Sequence, residues 1–190
     1  RLEPSTGGRT VFSYEKKRNT ESQIKYSAGA EVQAGWFNTR VSNNRNGQPD
    51  TVQTNDDIRF LVSNFFIQGD WIIKEKWLFN TGISLNRSSV EFSRLSQYPV
   101  SNQKRIYRNE LAPRISLRRN FDKGFAVRTT VSRGFSPPTV AELLPSTGVI
   151  STDLEAEYGW NYELTLIQSL LKNKLRLEAT GFYFKLNKAL

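Results

Sequence analysis

The sequence predicts an all-β fold: an antiparallel, up-and-down meander of about eight long strands that forms part of a transmembrane β-barrel. Apolar and polar residues alternate over segments as long as residues 22–37, far beyond the five or six residues of a typical globular strand. Connections alternate between short and long, as in outer-membrane barrels with short periplasmic turns and longer extracellular loops. No run of 18 apolar residues is present, but a barrel does not need one because lipid-facing residues occupy alternate positions.

The alternation gives the strands and their connections in order. Predicted strands cover residues 9–16, 22–37, 58–73, a fourth segment that begins at Trp77, 105–121, 125–135, 157–170 and 175–186. Polar, turn-forming stretches predict long loops at 38–57, 95–104 and 136–157. Because a spanning strand needs about 9–11 residues, several of these strands are long enough to cross a bilayer at a tilt.

Two other architectures stay open at this level. A small, eight-stranded structural barrel would share the pattern of alternation. A soluble, carbohydrate-binding β-sandwich would also be all-β, but its strands would be shorter and its connections would not alternate so strictly. A requirement for detergent separates the sandwich from both barrels.

Composition excludes several classes of function. The chain has no Cys and no His, which removes disulfides, thiolate or imidazole metal sites, and Ser-His-Asp catalysis. The formal charge is +9, but Lys and Arg are spread over strands and turns, so no nucleic-acid partner is predicted. Asp153, Glu155 and Glu157 form an acidic cluster whose spacing matches no calcium loop. No metal site, cofactor or enzymatic activity is therefore predicted.

The segment RTTVSRGFSPPTVAELL, residues 128–144, carries the most specific pattern in the chain. An alternating strand runs into Gly134 and a pair of prolines, and Thr139 and Glu142 have the spacing of a helix capping box. Together with NELAPRISL before it, and EYGWNYELTL and LEATGFYFKLNKA after it, this segment resembles the barrel strands of TonB-dependent outer-membrane receptors.

The resemblance implies much more protein than these 190 residues. Receptors of this family have a 22-stranded barrel with an N-terminal plug, so the chain is expected to be an internal or C-proximal piece of a barrel wall, without the plug and the remaining strands. It implies uptake of an iron complex of the siderophore type, or a similar scarce nutrient, across the outer membrane of a Gram-negative bacterium. The implied partners are outer-membrane lipid and lipopolysaccharide, the transported small molecule, and a periplasmic energy-transducing protein that acts through the plug.

The motif residues are predicted to be architectural, with ligand contacts made instead by the loops at 38–57 and 145–155. Glycine and proline would shape the exit from the strand, while polar groups would be used internally. The residues assigned to this role are Arg133, Gly134, Phe135, Pro137, Pro138 and Glu142.

Strand alternation also sorts individual side chains by face. Charged residues predicted to face the lumen, either to meet a plug or solute or as ordinary lumen filling, are Glu31, Arg114, Arg118, Arg128 and Glu163. Aromatic residues predicted at the membrane interfaces are Trp36, Trp71, Trp77, Tyr158 and Trp160. Arg119 falls on the apolar side and is expected near an interface.

Overall fold

The computed structural model describes residues 3–19, 21–136 and 154–187, and these form one antiparallel sheet. Its nine strands are β1 (Ser5–Asn19), β2 (Ser22–Arg45), β3 (Gln48–Ile73), β4 (Trp77–Arg94), β5 (Ser101–Ile106), β6 (Glu110–Asn120), β7 (Phe125–Ser136), β8 (Glu157–Leu170) and β9 (Leu175–Asn187). A three-residue 3-10 turn, Asp122–Gly124, joins β6 to β7. Strands adjacent in the chain pair with each other, with one exception at β5, so the predicted antiparallel meander is confirmed.

The exception at β5 explains why nine strands occupy eight positions in the sheet. β5 and β6 both pair with β4: Ile106 lies opposite Ser89, and Glu110 lies opposite Asn86. The predicted single strand at 105–121 is therefore interrupted at residues 107–109. Between the two pairs, this stretch contains one residue more than the facing stretch of β4. The backbone amide of Tyr107 still donates to the Ser88 carbonyl at 3.0 Å, so the interruption is a local bulge in the wall.

The prediction of a long loop at 38–57 is wrong, because β2 and β3 continue through these residues as one hairpin. Asn46 and Gly47 have φ of 54° and 82°, which is the left-handed pair that a tight two-residue hairpin turn requires. Polar side chains join the two strands beyond the apolar region: Asn38 Nδ2 donates to Asp57 Oδ1 at 2.7 Å, and Asn43 Nδ2 donates to Thr51 Oγ1 at 3.1 Å. Residues 43–53 are exposed on both faces of the hairpin, in agreement with their polar composition.

Most other predicted boundaries differ by a few residues. The strands predicted at 125–135, 157–170 and 175–186 appear as β7, β8 and β9. β1 begins earlier than predicted, at Ser5, because the long β2 continues to offer a pairing partner as far as Gly35. The loop predicted at 95–104 is shortened because β5 already begins at Ser101.

The two faces of the sheet differ in packing as well as in polarity. One face carries nearly all the buried side chains, including Ile58 and Ile167, each 1% exposed. The other carries large apolar side chains in the open: Phe12, Tyr14, Tyr26, Leu61, Phe65, Ile67, Ile83, Leu85, Leu111, Ile115, Leu117, Tyr162, Leu164 and Leu166. Side chains crowd together on the inside of a curved sheet, so we call the first the concave face and the second the convex face. A soluble protein rarely exposes so large an apolar surface.

Within the described part of the chain, no helix has both the length and the apolar character that a transmembrane helix requires.

Candidate functional site

All five charged residues predicted to face a lumen lie on the concave face. Arg118 pairs with Arg128, which in turn lies opposite Thr165. Residues that lie directly opposite each other in a sheet point to the same side. The cross-strand register therefore puts these residues on one side: Glu31, Arg114, Arg118, Arg128 and Glu163.

The convex face has an aromatic cluster near the short turns. Trp71 meets Tyr26 edge to face at a centroid distance of 5.7 Å and packs against Phe79 at 5.2 Å. Its indole covers Gly69, where a Cβ would lie only 2.3 Å from the ring, so Gly69 allows Trp71 to lie flat on the sheet. Trp77, at the start of β4, belongs to the same edge.

A second aromatic group lies toward the long connections on the same face. It contains Trp36 in β2, and Tyr158 and Trp160 at the start of β8. Trp36 stands 12 positions along β2 from Ile24, which pairs with Trp71. At about 3.3 Å per residue and a strand tilt of about 40°, this spacing is roughly 30 Å across a membrane. That separation suits two aromatic girdles on either side of an apolar band.

The concave face carries an apolar cluster toward the long connections, which we call the outer cluster. Phe37, Ile58 and Phe92 pair in one row across three strands and are buried. Beside them, Arg94 donates to both carboxylate oxygens of Asp56, at 2.9 and 3.3 Å, and Asp56 is only 3% exposed. The Arg94 guanidinium lies 5.4 Å from the centroid of the Phe92 ring. Buried aromatic rings and an arginine–aspartate ion pair therefore lie side by side at this end of the concave face.

A polar cavity of about 280 Å³ lies at the bulge, between residues 105–110 and the segment just before β8. Arg105, Arg108 and Tyr107 line it together with Glu110 and Glu155. The Nε of Arg105 is buried without a hydrogen-bond partner. A buried donor that lacks a partner costs free energy, so this cavity favours an added acceptor such as a carboxylate or phenolate oxygen.

Arg133 of the 128–144 motif bridges a gap in the sheet. β6 and β7 pair only as far as Arg114 and Ser132, although β6 stays paired with β4 to Glu110, and β7 stays paired with β8 to Ser136. The Arg133 guanidinium bonds the Glu110 carboxylate at 2.6 Å, donates to the Leu111 carbonyl, and lies 4.7 Å from the centroid of the Tyr158 ring. A side chain therefore replaces the missing backbone hydrogen bonds between the two strands.

The remaining motif residues are described only in part. β7 runs through Gly134, which lies opposite Gly159, and ends at Ser136. Gly134, predicted to shape the exit from the strand, is therefore an extended residue inside it. Pro137, Pro138, Thr139 and Glu142 lie outside the described residues, as does most of the predicted ligand loop at 145–155.

An exposed ion pair at the outer end of the sheet shifts the pKa of its carboxylate. Lys104 donates a hydrogen bond to the Glu91 carboxylate, and this bond and the adjacent positive charge hold the pKa of Glu91 below its ordinary value. The pair links β4 to β5 at the outer end of the sheet. Among the described residues, no group of three or more acidic side chains is placed to hold a metal ion.

Sequence reasoning missed the outer cluster and the Arg133 bridge for different reasons. Phe37 and Ile58 border a segment predicted to be a loop, and the Asn46-Gly47 pair was the signal that would have predicted the hairpin. The Arg133–Glu110 contact joins residues 23 positions apart, and no local pattern predicts it.

Comparison with known proteins agrees with this geometry. The profile of the family described as TonB dependent receptor-like, beta-barrel matches residues 3–189. A search of curated proteins found no match. Among solved structures, the ferric-catecholate import receptor Fiu of E. coli K12 is similar with a TM-score of 0.74 and 12% identity, over 97% of this chain and 31% of that one.

Two further structures show the same similarity of fold. The copper transporter OprC gives a TM-score of 0.70 at 16% identity, over 97% of this chain and 30% of its own. The ferric yersiniabactin uptake receptor FyuA of Yersinia pestis gives 0.61 at 15% identity, over 96% and 29%. The chain thus spans about a third of the length of these proteins. With its profile match over almost every residue and its single curved antiparallel sheet, the chain belongs to the β-barrel family of TonB-dependent receptors.

Proposed function

We propose that the chain is part of the barrel wall of an outer-membrane receptor that imports an iron complex of the siderophore type into a Gram-negative bacterium, driven by a periplasmic energy-transducing protein. The observation that carries this proposal is the difference in polarity between the two faces of the sheet. The convex face is apolar between two aromatic groups, whereas the concave face carries charged and polar side chains at the same level. Such a sheet fits a wall with lipid outside and water inside.

In this reading the five concave charges, Glu31, Arg114, Arg118, Arg128 and Glu163, line the lumen. Trp71 and Trp77 lie at the periplasmic interface, and Trp36, Tyr158 and Trp160 at the outer one. The motif around Arg133 and Gly134 is architectural, because Arg133 uses its donors inside the wall. No chemical step is assigned to any of these residues.

Ligand recognition is assigned to the outer end of the concave face. The buried outer cluster fixes the three strands beside this end, and the cavity at Arg105 supplies a buried donor that lacks a partner. A ferric complex of an anionic chelator would bring oxygen acceptors for the guanidinium.

The other architectures fit less well. A soluble β-sandwich would need a second layer over the convex face, and the described residues form a single sheet. A structural barrel without transport shares the two faces but has no use for a buried arginine donor without a partner beside a cavity on the lumen side. A plug domain encoded upstream in the full-length gene product would favour the receptor over the structural barrel.

Transport is tested by deleting the gene and restoring it in full length. We expect uptake of at least one ⁵⁵Fe complex, from a panel of catecholate, phenolate and hydroxamate siderophores, to fall at least tenfold in the deletion strain. Uptake should return with the wild-type gene and disappear again when a protonophore removes the energy source. Unchanged uptake of every complex in the panel would contradict the transport proposal.

A single substitution then tests where the ligand binds. Arg105→Gln removes the unpartnered donor, and we expect at least fivefold weaker binding of the imported complex to the purified full-length receptor. Arg87→Gln is the matched control, because Arg87 is an exposed arginine on the convex face of the neighbouring β4. Equal affinity for the Arg105 variant and the wild type would place recognition elsewhere.

A further inference from the structure

The convex face carries an arginine in an unusual position, in an otherwise apolar row close to the short turns. Arg119 pairs across the sheet with Trp77, and its guanidinium lies 4.8 Å from the Trp77 ring centroid and 4.7 Å from that of Phe121. Within the described residues, these ring contacts are its interactions, and no carboxylate or carbonyl accepts from it. The rings hold the guanidinium in place while its in-plane N–H groups remain available.

An apolar groove of about 680 Å³ begins above this arginine on the same face. Ala28 and Thr81 form its floor, because their side chains are small, and Tyr14, Tyr26, Ile83 and Ile115 belong to its walls. Ile115 stands four residues along β6 from Arg119, about 13 Å away. The row between them, Leu117, Phe79 and Trp71, is apolar. An amphipathic molecule with its charge at Arg119 would therefore have its hydrocarbon in the groove.

The charged residues near Arg119 favour a lipid with a negatively charged head group. The four short-turn segments, residues 16–21, 74–76, 121–124 and 171–174, carry eight Lys or Arg against three Asp or Glu. This excess of positive charge lies along the edge where Arg119 sits, and it attracts anionic lipid at a membrane surface. A guanidinium fixed by two rings presents the planar donor geometry that matches a phosphate.

We propose that Arg119, Trp77 and Phe121, with the groove above them, form a binding site for one anionic glycerophospholipid of the periplasmic leaflet. The phosphate accepts hydrogen bonds from Arg119, and an acyl chain occupies the groove over Ala28 and Thr81. This proposal rests on the proposed function in one respect, that the convex face lies in a membrane. The short turns of outer-membrane barrels are periplasmic, so lipopolysaccharide, in the opposite leaflet, is not the occupant.

The test is native mass spectrometry of the full-length receptor in mild detergent with equal amounts of phosphatidylglycerol and phosphatidylethanolamine. We expect the wild type to retain phosphatidylglycerol at least fivefold over phosphatidylethanolamine. Arg119→Gln should remove this preference, and Arg119→Lys should restore part of it. Thr81→Trp, which fills the groove and keeps the charge, should also lower retention. Arg87→Gln, an exposed arginine of the same face away from the site, should behave as the wild type.

Three outcomes overturn the proposal. The first is equal phosphatidylglycerol retention by the wild type and Arg119→Gln. The second is displacement of phosphatidylglycerol by inorganic phosphate at equal concentration, which would indicate an anion site without a lipid. The third is preferential retention of lipid A by the wild type and not by Arg119→Gln. Heat-modifiable mobility in electrophoresis verifies that each variant is folded. A receptor that retains phosphatidylglycerol through Arg119 but imports no iron complex supports the lipid site and contradicts only the transport proposal.

Discussion

An arginine in place of Ile67 is expected to destabilise the folded receptor by about 2–4 kcal/mol, or to prevent its insertion, because the charge would enter the hydrocarbon of the membrane. Ile67 is 61% exposed on the convex face, between Ala28 and Ile83 on the neighbouring strands. It lies four residues from Trp71 along β3, well inside the apolar band. The measurement is the free energy of unfolding of the full-length receptor in lipid vesicles, from urea titration.

The adjacent residue supplies the control. Gln68 is also exposed, but it lies on the concave face beside Asp70, to which it donates a hydrogen bond at 3.1 Å. Gln68→Arg should change the unfolding free energy by less than about 0.5 kcal/mol, since surface substitutions in water have small effects. If the two variants lose equal stability, the convex face is not the lipid face.

Arg133→Ala is expected to cost about 2–3 kcal/mol, because it removes the bridge across the gap between β6 and β7 and leaves a carboxylate without its cation. The paired side chains are largely enclosed: Arg133 is 18% exposed and Glu110 is 16% exposed. The loss should appear in the same urea titration, whereas affinity for the iron complex per folded receptor should stay within twofold. Arg133→Lys should recover only part of the stability, since an ammonium cannot reach the carboxylate and the Leu111 carbonyl with the same planar geometry.

A weaker ion pair on the same sheet is the comparison for this variant. Arg9 and Glu31 are 3.9 Å apart and are 61% and 48% exposed, so Arg9→Ala should cost less than about 0.5 kcal/mol. A stable Arg133→Ala receptor that no longer binds the complex would instead make the motif a recognition element.

Face assignment was predictable from the sequence because a strand has a period of two. Once residues 22–37 alternate, the side of every residue in the strand follows, and cross-strand pairs then carry the assignment from β2 through β8. The register confirms that Glu31 and Glu163, five strands apart along the sheet, share a face. The family resemblance was readable for the same reason, since it depends on local strand and turn signals.

Features that depend on tertiary contacts or water were not predictable in this way. The outer part of the β2–β3 hairpin has no apolar face, so its polarity indicated a loop even though Asn46-Gly47 encodes a tight turn. The bulge at 107–109 has no sequence marker that distinguishes it from a continuous strand. The Arg133–Glu110 contact, beside the early end of β6–β7 pairing, joins residues distant in sequence and exists only in the assembled sheet.

The central claim is that the convex face meets lipid and the concave face meets water, and site-directed spin labelling along β3 tests it most directly. The chain has no Cys, so single cysteines can be placed at each residue from 61 to 70 and labelled in the full-length receptor in vesicles. We predict a period of two: labels at odd positions such as Phe65 and Ile67 should be more accessible to oxygen, and those at even positions such as Gln68 more accessible to a water-soluble nickel chelate. Equal accessibility at odd and even positions, or a reversed pattern, would contradict the account.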